Sequence, residues 1–381
     1  MLLHDLPATE AAIERARDLL DEVADPDVVA QGAWTRAAAL AVVGWPKQSQ
    51  TVLAEAGSAT AAARPDLQAA NAILLTLLAT WRGDYRTVPT DEADPRADGL
   101  APLDQAGFST WTRMLGLIGR GDIEEAIAEG EASLERLTRV NESWYRPRIL
   151  NTIGWANYEV LDLDEAERWN RRSLELAQEI DLPDPEIESN ARLNLADIEL
   201  ERGDLERART QLDWVGSVVT DPGPSDWFGL WRYTMHWRAD TIRMSLLEGD
   251  LDLAAREAQR LIDDAEENGS RKYEAIGLRL AAETARLAGD HATARTAIGQ
   301  ATDVAEAIGS PTQRWNCYAE GAALARALGD QLAAADLTRQ ATELIGTIAA
   351  GLRPERRARF LAADRVNALT NSMPQDHSAP P

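Results

Sequence analysis

The sequence predicts an all-α solenoid of about seven to eight helix-turn-helix repeats, each about 40 residues long. Three observations predict it. The pair Gly-Asp recurs at Gly83-Asp84, Gly121-Asp122, Gly203-Asp204, Gly249-Asp250, Gly289-Asp290 and Gly329-Asp330, with Leu161-Asp162 filling the gap in the series and Gly44-Trp45 preceding it; the steps run from 38 to 46 residues. An alanine follows four residues past each Asp from Asp122 onward: Ala126, Ala166, Ala208, Ala254, Ala294 and Ala334. Alanine, leucine, glutamate and arginine, all strong helix formers, dominate the composition.

Each part of the unit has a physical reason. Glycine enters the left-handed region that ends the first helix, and the Asp that follows caps the second. The alanine one turn later lets the two helices approach closely, where a larger side chain would hold them apart. Amphipathic stretches such as Leu193-Asn194-Leu195-Ala196-Asp197-Ile198 precede the turns. One such unit cannot bury its apolar face alone, so neighbours must stack.

Along the chain this gives an N-terminal half-repeat or cap helix over 1–25 and N-terminal repeats over 26–86. An irregular acidic loop follows over 87–103, where Pro89, Pro95 and Pro102 forbid a continuous helix. The main array runs over 104–350, a capping helix over 351–371 and a disordered polar tail over 372–381. The connection Asp221-Pro222-Gly223-Pro224-Ser225-Asp226 accounts for the longest step in the series.

The segment Leu150-Asn151-Thr152-Ile153-Gly154, continued by Leu161-Asp162-Leu163-Asp164-Glu165-Ala166, resembles a tetratricopeptide repeat. That family carries a small residue in the first helix, here Gly154, a Gly-Asp turn, and an alanine early in the second helix, here Ala166. The period is longer than the family's, Asn157 stands where a tyrosine is usual, and the closing proline is mostly missing. The longer unit, and the ending Arg353-Pro354-Glu355-Arg356-Arg357, resemble the repeat arrays at the C-terminal ends of large bacterial signal-transduction ATPases and cyclase-linked regulators. The resemblance covers roughly residues 26–350. It implies a right-handed superhelix whose first helices line a concave face, and it implies no particular activity.

The net charge of −24 disfavours a phosphate backbone or an anionic bilayer as partner, so neither nucleic acid nor membrane is expected. The first residues lack a basic region and a long apolar core, which points to a cytoplasmic protein. The single cysteine, Cys317, excludes an internal disulfide. The four histidines are scattered, no phosphate-cradling or dinucleotide glycine motif occurs, and no nucleophile elbow is present, so no enzyme, cofactor or metal site is expected.

Tryptophan and arginine carry what functional signal there is. Twelve Trp stand against three Phe. The family register places Trp34, Trp111, Trp155 and Trp81 on the inner face. A second column near the starts of the first helices holds Arg146 and Arg148, Trp231-Arg232-Tyr233, Arg271-Lys272-Tyr273 and Arg314-Trp315. Together they predict a basic-aromatic ladder inside an acidic protein, suited to a protein or peptide partner with an acidic segment. The leading expectation is a non-catalytic interaction module. The competing one is a small-ligand-sensing regulatory domain, a separated part of a larger ATPase or cyclase-linked regulator, with an apolar pocket near residues 227–237.

Overall fold

The computed structural model describes residues 6–20, 23–88, 103–179, 185–223 and 229–371. Residues 89–102 of the expected acidic loop and the expected tail lie outside the described residues, as do residues 227 and 228 of the expected pocket segment. Nineteen α-helices and no strand occur among the described residues.

Six regular helix pairs follow the Gly-Asp rhythm: α6 (Leu103–Arg120) with α7 (Ile123–Arg139), α8 (Tyr145–Glu159) with α9 (Leu163–Glu179), α10 (Pro185–Arg202) with α11 (Leu205–Thr220), α12 (Leu230–Glu248) with α13 (Leu251–Asn268), α14 (Arg271–Leu287) with α15 (His291–Ile308), and α16 (Pro311–Ala327) with α17 (Gln331–Ala350). Before them come α1 (Leu6–Leu20), α2 (Pro26–Val43), α3 (Pro46–Glu55), α4 (Gly57–Ala62) and α5 (Pro65–Arg82). After them come two short helices, α18 (Pro354–Ala362) and α19 (Asp364–Asn371), separated by extended backbone at Ala363. Counting α2–α4 and α5 as repeats with irregular second halves, the array has eight units.

The turn chemistry follows the sequence in the backbone, but the expected Asp cap is made at only some of the turns: the Asp84 and Asp122 side chains make no cap hydrogen bond. The six Gly-Asp glycines have φ between +74° and +86°, and Leu161, in the seventh slot, is forced to +54°. Asp204, Asp250, Asp290 and Asp330 each accept a hydrogen bond from the backbone N–H three residues on. The repeated alanines are 3% exposed or less, so the close approach they permit is realised.

The winding positions the interior. α2 touches α12, α5 touches α14 and α6 touches α16, so each unit meets the one five further along. The same offset brings α18, which follows the eighth unit, onto the fourth. There Arg359 makes paired hydrogen bonds of 2.9 and 2.6 Å to Asp162, itself 2% exposed, and Arg356 bridges Asp162 and Glu124. Backbone carbonyls at the turns are the main acceptors. Trp231 Nε1 donates to Ala41 O at 3.0 Å, Lys47 Nζ to Glu266 O at 2.7 Å, Ser270 Oγ to Trp81 O at 3.2 Å, and Arg86 to Glu306 O at 2.6 Å. Phe360 and Val366 share one core with Leu117, Ile118 and Ile123, so burial as well as polar contact holds successive turns together.

Two of the Gly-Asp glycines serve both the turn and the winding. A Cβ on Gly83 would come within 2.9 Å of the Lys272 backbone nitrogen, and one on Gly121 within 2.7 Å of Pro311; Gly289 has open space instead. Gly289→Ala should therefore cost only the left-handed backbone term, about 1–2 kcal/mol. Gly83→Ala should cost about 1–3 kcal/mol more, because the overlap is with backbone. Paired urea titrations check this, and equal losses at the two sites would show that the turns do not press on each other.

Candidate functional site

The first helices of the units from α5 to α16, together with Tyr85 and Arg365 of α19, enclose a cavity of about 210 Å³. Helical periodicity explains which residues reach it. Counting back from each turn residue, offset 17 gives Glu186, Arg232, Lys272 and Thr312; offset 13 gives Arg148, Asn190, His236, Ile276 and Asn316; offset 6 gives Leu115, Trp155, Asp197 and Arg243. These offsets differ by four and seven residues, so they share one face of a helix.

Of the residues singled out from sequence, Trp81, Trp111, Arg148, Trp155, Trp231, Arg232, Lys272, Tyr273 and Trp315 line the cavity. Trp34, Arg146, Tyr233, Arg271 and Arg314 do not. Arg146 and Arg314 sit at offset 15, two residues from offset 17 and so about 200° round the helix. Arg146 instead bonds Glu142 O at 3.3 Å, and Arg314 lies beside Tyr318. Trp34 Nε1 donates to Ala70 O at 3.1 Å, between α2 and α5. Tyr233 is fully buried in the α10–α12 core.

The walls combine indoles with ion pairs. Trp81 meets Trp111 and Trp231 edge-on, at centroid distances of 6.4 and 5.9 Å, and carries the Arg232 guanidinium over its face at 4.4 Å. Arg232 donates to Glu186 at 2.8 Å and Arg148 to the same carboxylate at 2.7 Å. Burial depresses the Arg232 pKa, and the Glu186 charge opposes that. Trp155 Nε1 donates to Glu159 at 2.7 Å.

Deeper in, Asp197, His236 and Asp240 bring their ligand atoms within 4.8 Å of one another, the one group of three such donors among the described residues that is spaced to hold a cation. His236 Nε2 is 2.8 Å from Asp197 and 3.5 Å from Asp240, and Arg243 reaches both carboxylates. Burial pushes the Asp240 carboxyl up, and the Asp197 charge pushes it further. Asp197 is also pushed up by burial, but His236 and Arg243 outweigh that and hold it below the ordinary carboxylate range. Burial works against a charged His236, yet the two aspartates raise its pKa. Arg243 already contacts both carboxylates, so a metal ion would have to compete with it, whereas the trio can store or release a proton as it stands. Burial raises the Cys317 thiol to about 12, which keeps it from acting as a thiolate near neutral pH.

Glu186, Asp197, Asp240 and Arg243 were not singled out from the sequence. Their signal was the offset register itself: each stands in a slot where another repeat carries a sequence-selected or polar residue. A basic-aromatic ladder in the sequence does not by itself reveal the carboxylates interleaved with it.

No family model matches the chain, and no curated protein matches it. Among solved structures it is similar to a Rap protein complexed with Competence and Sporulation Factor, with a TM-score of 0.56 and 12% identity over 90% of this chain and 98% of that one. It also aligns with BtubC (BKLC) from P. vanneervenii, with a TM-score of 0.43 and 15% identity over 61% of this chain and 94% of that one. The first likeness shows a shared helical-repeat fold. No described helix is long and apolar enough to cross a membrane.

Proposed function

We propose that this chain is a non-catalytic regulatory module that holds a short peptide, or a small ligand of similar size, in the cavity enclosed by its first helices. The observation that carries the reading is the reversal of sign inside. Six Arg and Lys against four Asp and Glu line the cavity, together with five tryptophans, in a chain whose net charge is −24. Aromatic and Arg side chains brought to one enclosed surface are the usual anchors of recognition. The volume is too small for a folded domain, so the partner is a short segment. The Rap protein, whose fold this chain shares, is complexed with a factor, which supports binding as the use of such an array. Each carboxylate of the Asp197–Asp240 pair is already bridged by Arg243, which favours binding over acid-base catalysis. The resemblance of the repeats to signalling regulators suits a sensing role for the module.

The test is thermal unfolding in the presence of short-peptide pools and a metabolite panel, with Trp155→Ala as the cavity control. A ligand at one hundred times its Kd should stabilise the wild type by about 2.7 kcal/mol and the control by much less. If no pool shifts the wild type, or if the control responds equally, the cavity is not the binding site.

A further inference from the structure

Each arginine facing the cavity has a carboxylate partner. Arg148 and Arg232 share Glu186, Arg243 has Asp197 and Asp240, Arg365 has Glu201, and Arg279 has Glu283 at 3.7 Å. Lys272 is the exception. Its ammonium lies 4.3 Å from the centroid of the Trp155 ring and 5.5 Å from that of Tyr273, and it makes no hydrogen bond or ion pair with any described residue. The chain has only two lysines, and the other, Lys47, is fastened to the Glu266 carbonyl. The position of Lys272 is fixed, because its backbone nitrogen abuts Gly83 across the turn contact. Glu159 and Asp197, the carboxylates whose fields favour the charged lysine, are held instead by Trp155 Nε1 and by His236 with Arg243.

A cation in a low-dielectric cavity whose direct contacts are ring faces is costly to keep charged, and burial lowers the Lys272 pKa against the fields of Glu159 and Asp197. An arriving anion removes that cost. The flexible, point-charge ammonium suits a carboxylate, while the indoles of Trp81, Trp155 and Trp231 offer apolar faces to the rest of the ligand.

We propose that Lys272 is the anion-reading group of the cavity, and that the ligand presents one carboxylate to its ammonium with an apolar or aromatic remainder against the indole wall. This deepens the binding reading above and rests on it. It implies that ligand-free Lys272 sits in the fold at a cost to stability that the ligand relieves.

The experiment uses the whole chain as wild type, Lys272→Met and Lys272→Arg, with two readouts of opposite sign. Thermal unfolding without ligand should show Lys272→Met at least as stable as wild type, because an unpaired charge becomes an isosteric apolar chain. Calorimetric titration then uses N-acetyl tetrapeptides with free C-termini, the same peptides as C-terminal amides, amides bearing one Asp or Glu, and indole-3-acetate. At least one carboxylate-bearing set should bind wild type, weaken by about tenfold or more in Lys272→Met, and recover in part in Lys272→Arg, while the uncharged amides bind poorly throughout. Preference for free termini, for acidic side chains or for indole-3-acetate identifies the source of the carboxylate. If acids and amides bind alike, or Lys272→Met binds as wild type does, Lys272 does not read an anion and the cavity reading stands without it. A Lys272→Met chain that is less stable than wild type marks the lysine as a structural cation-π partner and overturns the proposal. Binding of no probe by wild type overturns both.

Discussion

Glu186→Ala is expected to destabilise the chain by about 3–5 kcal/mol, the largest effect of any single cavity substitution, because it strands two buried guanidiniums at once. Glu186 is 4% exposed and Arg148 5%, and the carboxylate bonds Arg148 at 2.7 Å and Arg232 at 2.8 Å from two different helices. The residue also stands in the first turn of α10, where a negative charge is favoured. Glu186→Gln keeps the volume and one acceptor but loses the charge, so it should fall between Ala and wild type. The decisive measurement is a cycle with Arg148→Met. If the loss comes from the stranded charge, Arg148→Met in the Glu186→Ala background should recover part of it, and the two single losses should sum to more than the double. Urea midpoints with unchanged m-values would read the result as stability. A Glu186→Ala chain within 1 kcal/mol of wild type (less than the ~1–3 kcal/mol cost of one unsatisfied buried group) would mean that the two arginines find other partners. The same carboxylate holds Arg232 over Trp81, so its loss should also blunt ligand binding through the indole wall.

How far sequence reaches in this fold is set by whether a feature is local. The turn series was legible because left-handed glycine and a capping Asp are demands of four or five consecutive residues, and the alanine slot is a demand of one helix pair. Even the exception was legible: Leu161 keeps the step although its φ of +54° is unfavourable for a branched side chain. The cavity face was partly legible. Trp111, Trp155, Arg232 and Lys272 were found, but a window of consecutive residues cannot separate offset 17 from offset 15, and Arg146 and Arg314 fell on the far side. The five-unit winding was not legible at all. It accumulates from a small rotation per repeat, and its evidence lies in pairs such as Trp231 with Ala41 or Gly121 with Pro311, nearly 200 residues apart. A glycine required by the turn looks the same in sequence whether or not another turn presses on it.

The cluster around His236 should make the chain less stable at about pH 8 than at about pH 5, by a margin that one substitution removes. The groups facing one another come from four helices: Tyr158 from α8, Asp197 and Glu201 from α10, His236, Asp240 and Arg243 from α12, and Lys272 with Tyr273 from α14; Arg365 of α19 adds its charge. Asp240 has a folded pKa raised from 3.8, first by burial and then by Asp197. Its contribution is fully present below the unfolded value and is lost as pH climbs through the folded one. His236, raised from 6.5 by the two aspartates against the pull of burial, runs the same way: its contribution is present below 6.5 and lost above. Asp197 is lowered, so it opposes them, but only as pH falls below 3.8. Between about pH 5 and pH 8 both active terms therefore favour the acid side. General repulsion in a chain of net charge −24 leans in the same direction, so the slope alone proves little. Asp240→Asn separates the two causes. Asparagine imitates the protonated carboxyl, so at about pH 8 the variant should be more stable than wild type by roughly 1 kcal/mol or more, and toward pH 5 the gap should narrow. Net repulsion changes by only one charge in this variant. Parallel pH profiles for wild type and Asp240→Asn would therefore show that the buried carboxyl stays ionised throughout, whereas converging profiles would place the proton on Asp240 at the working pH of the cavity.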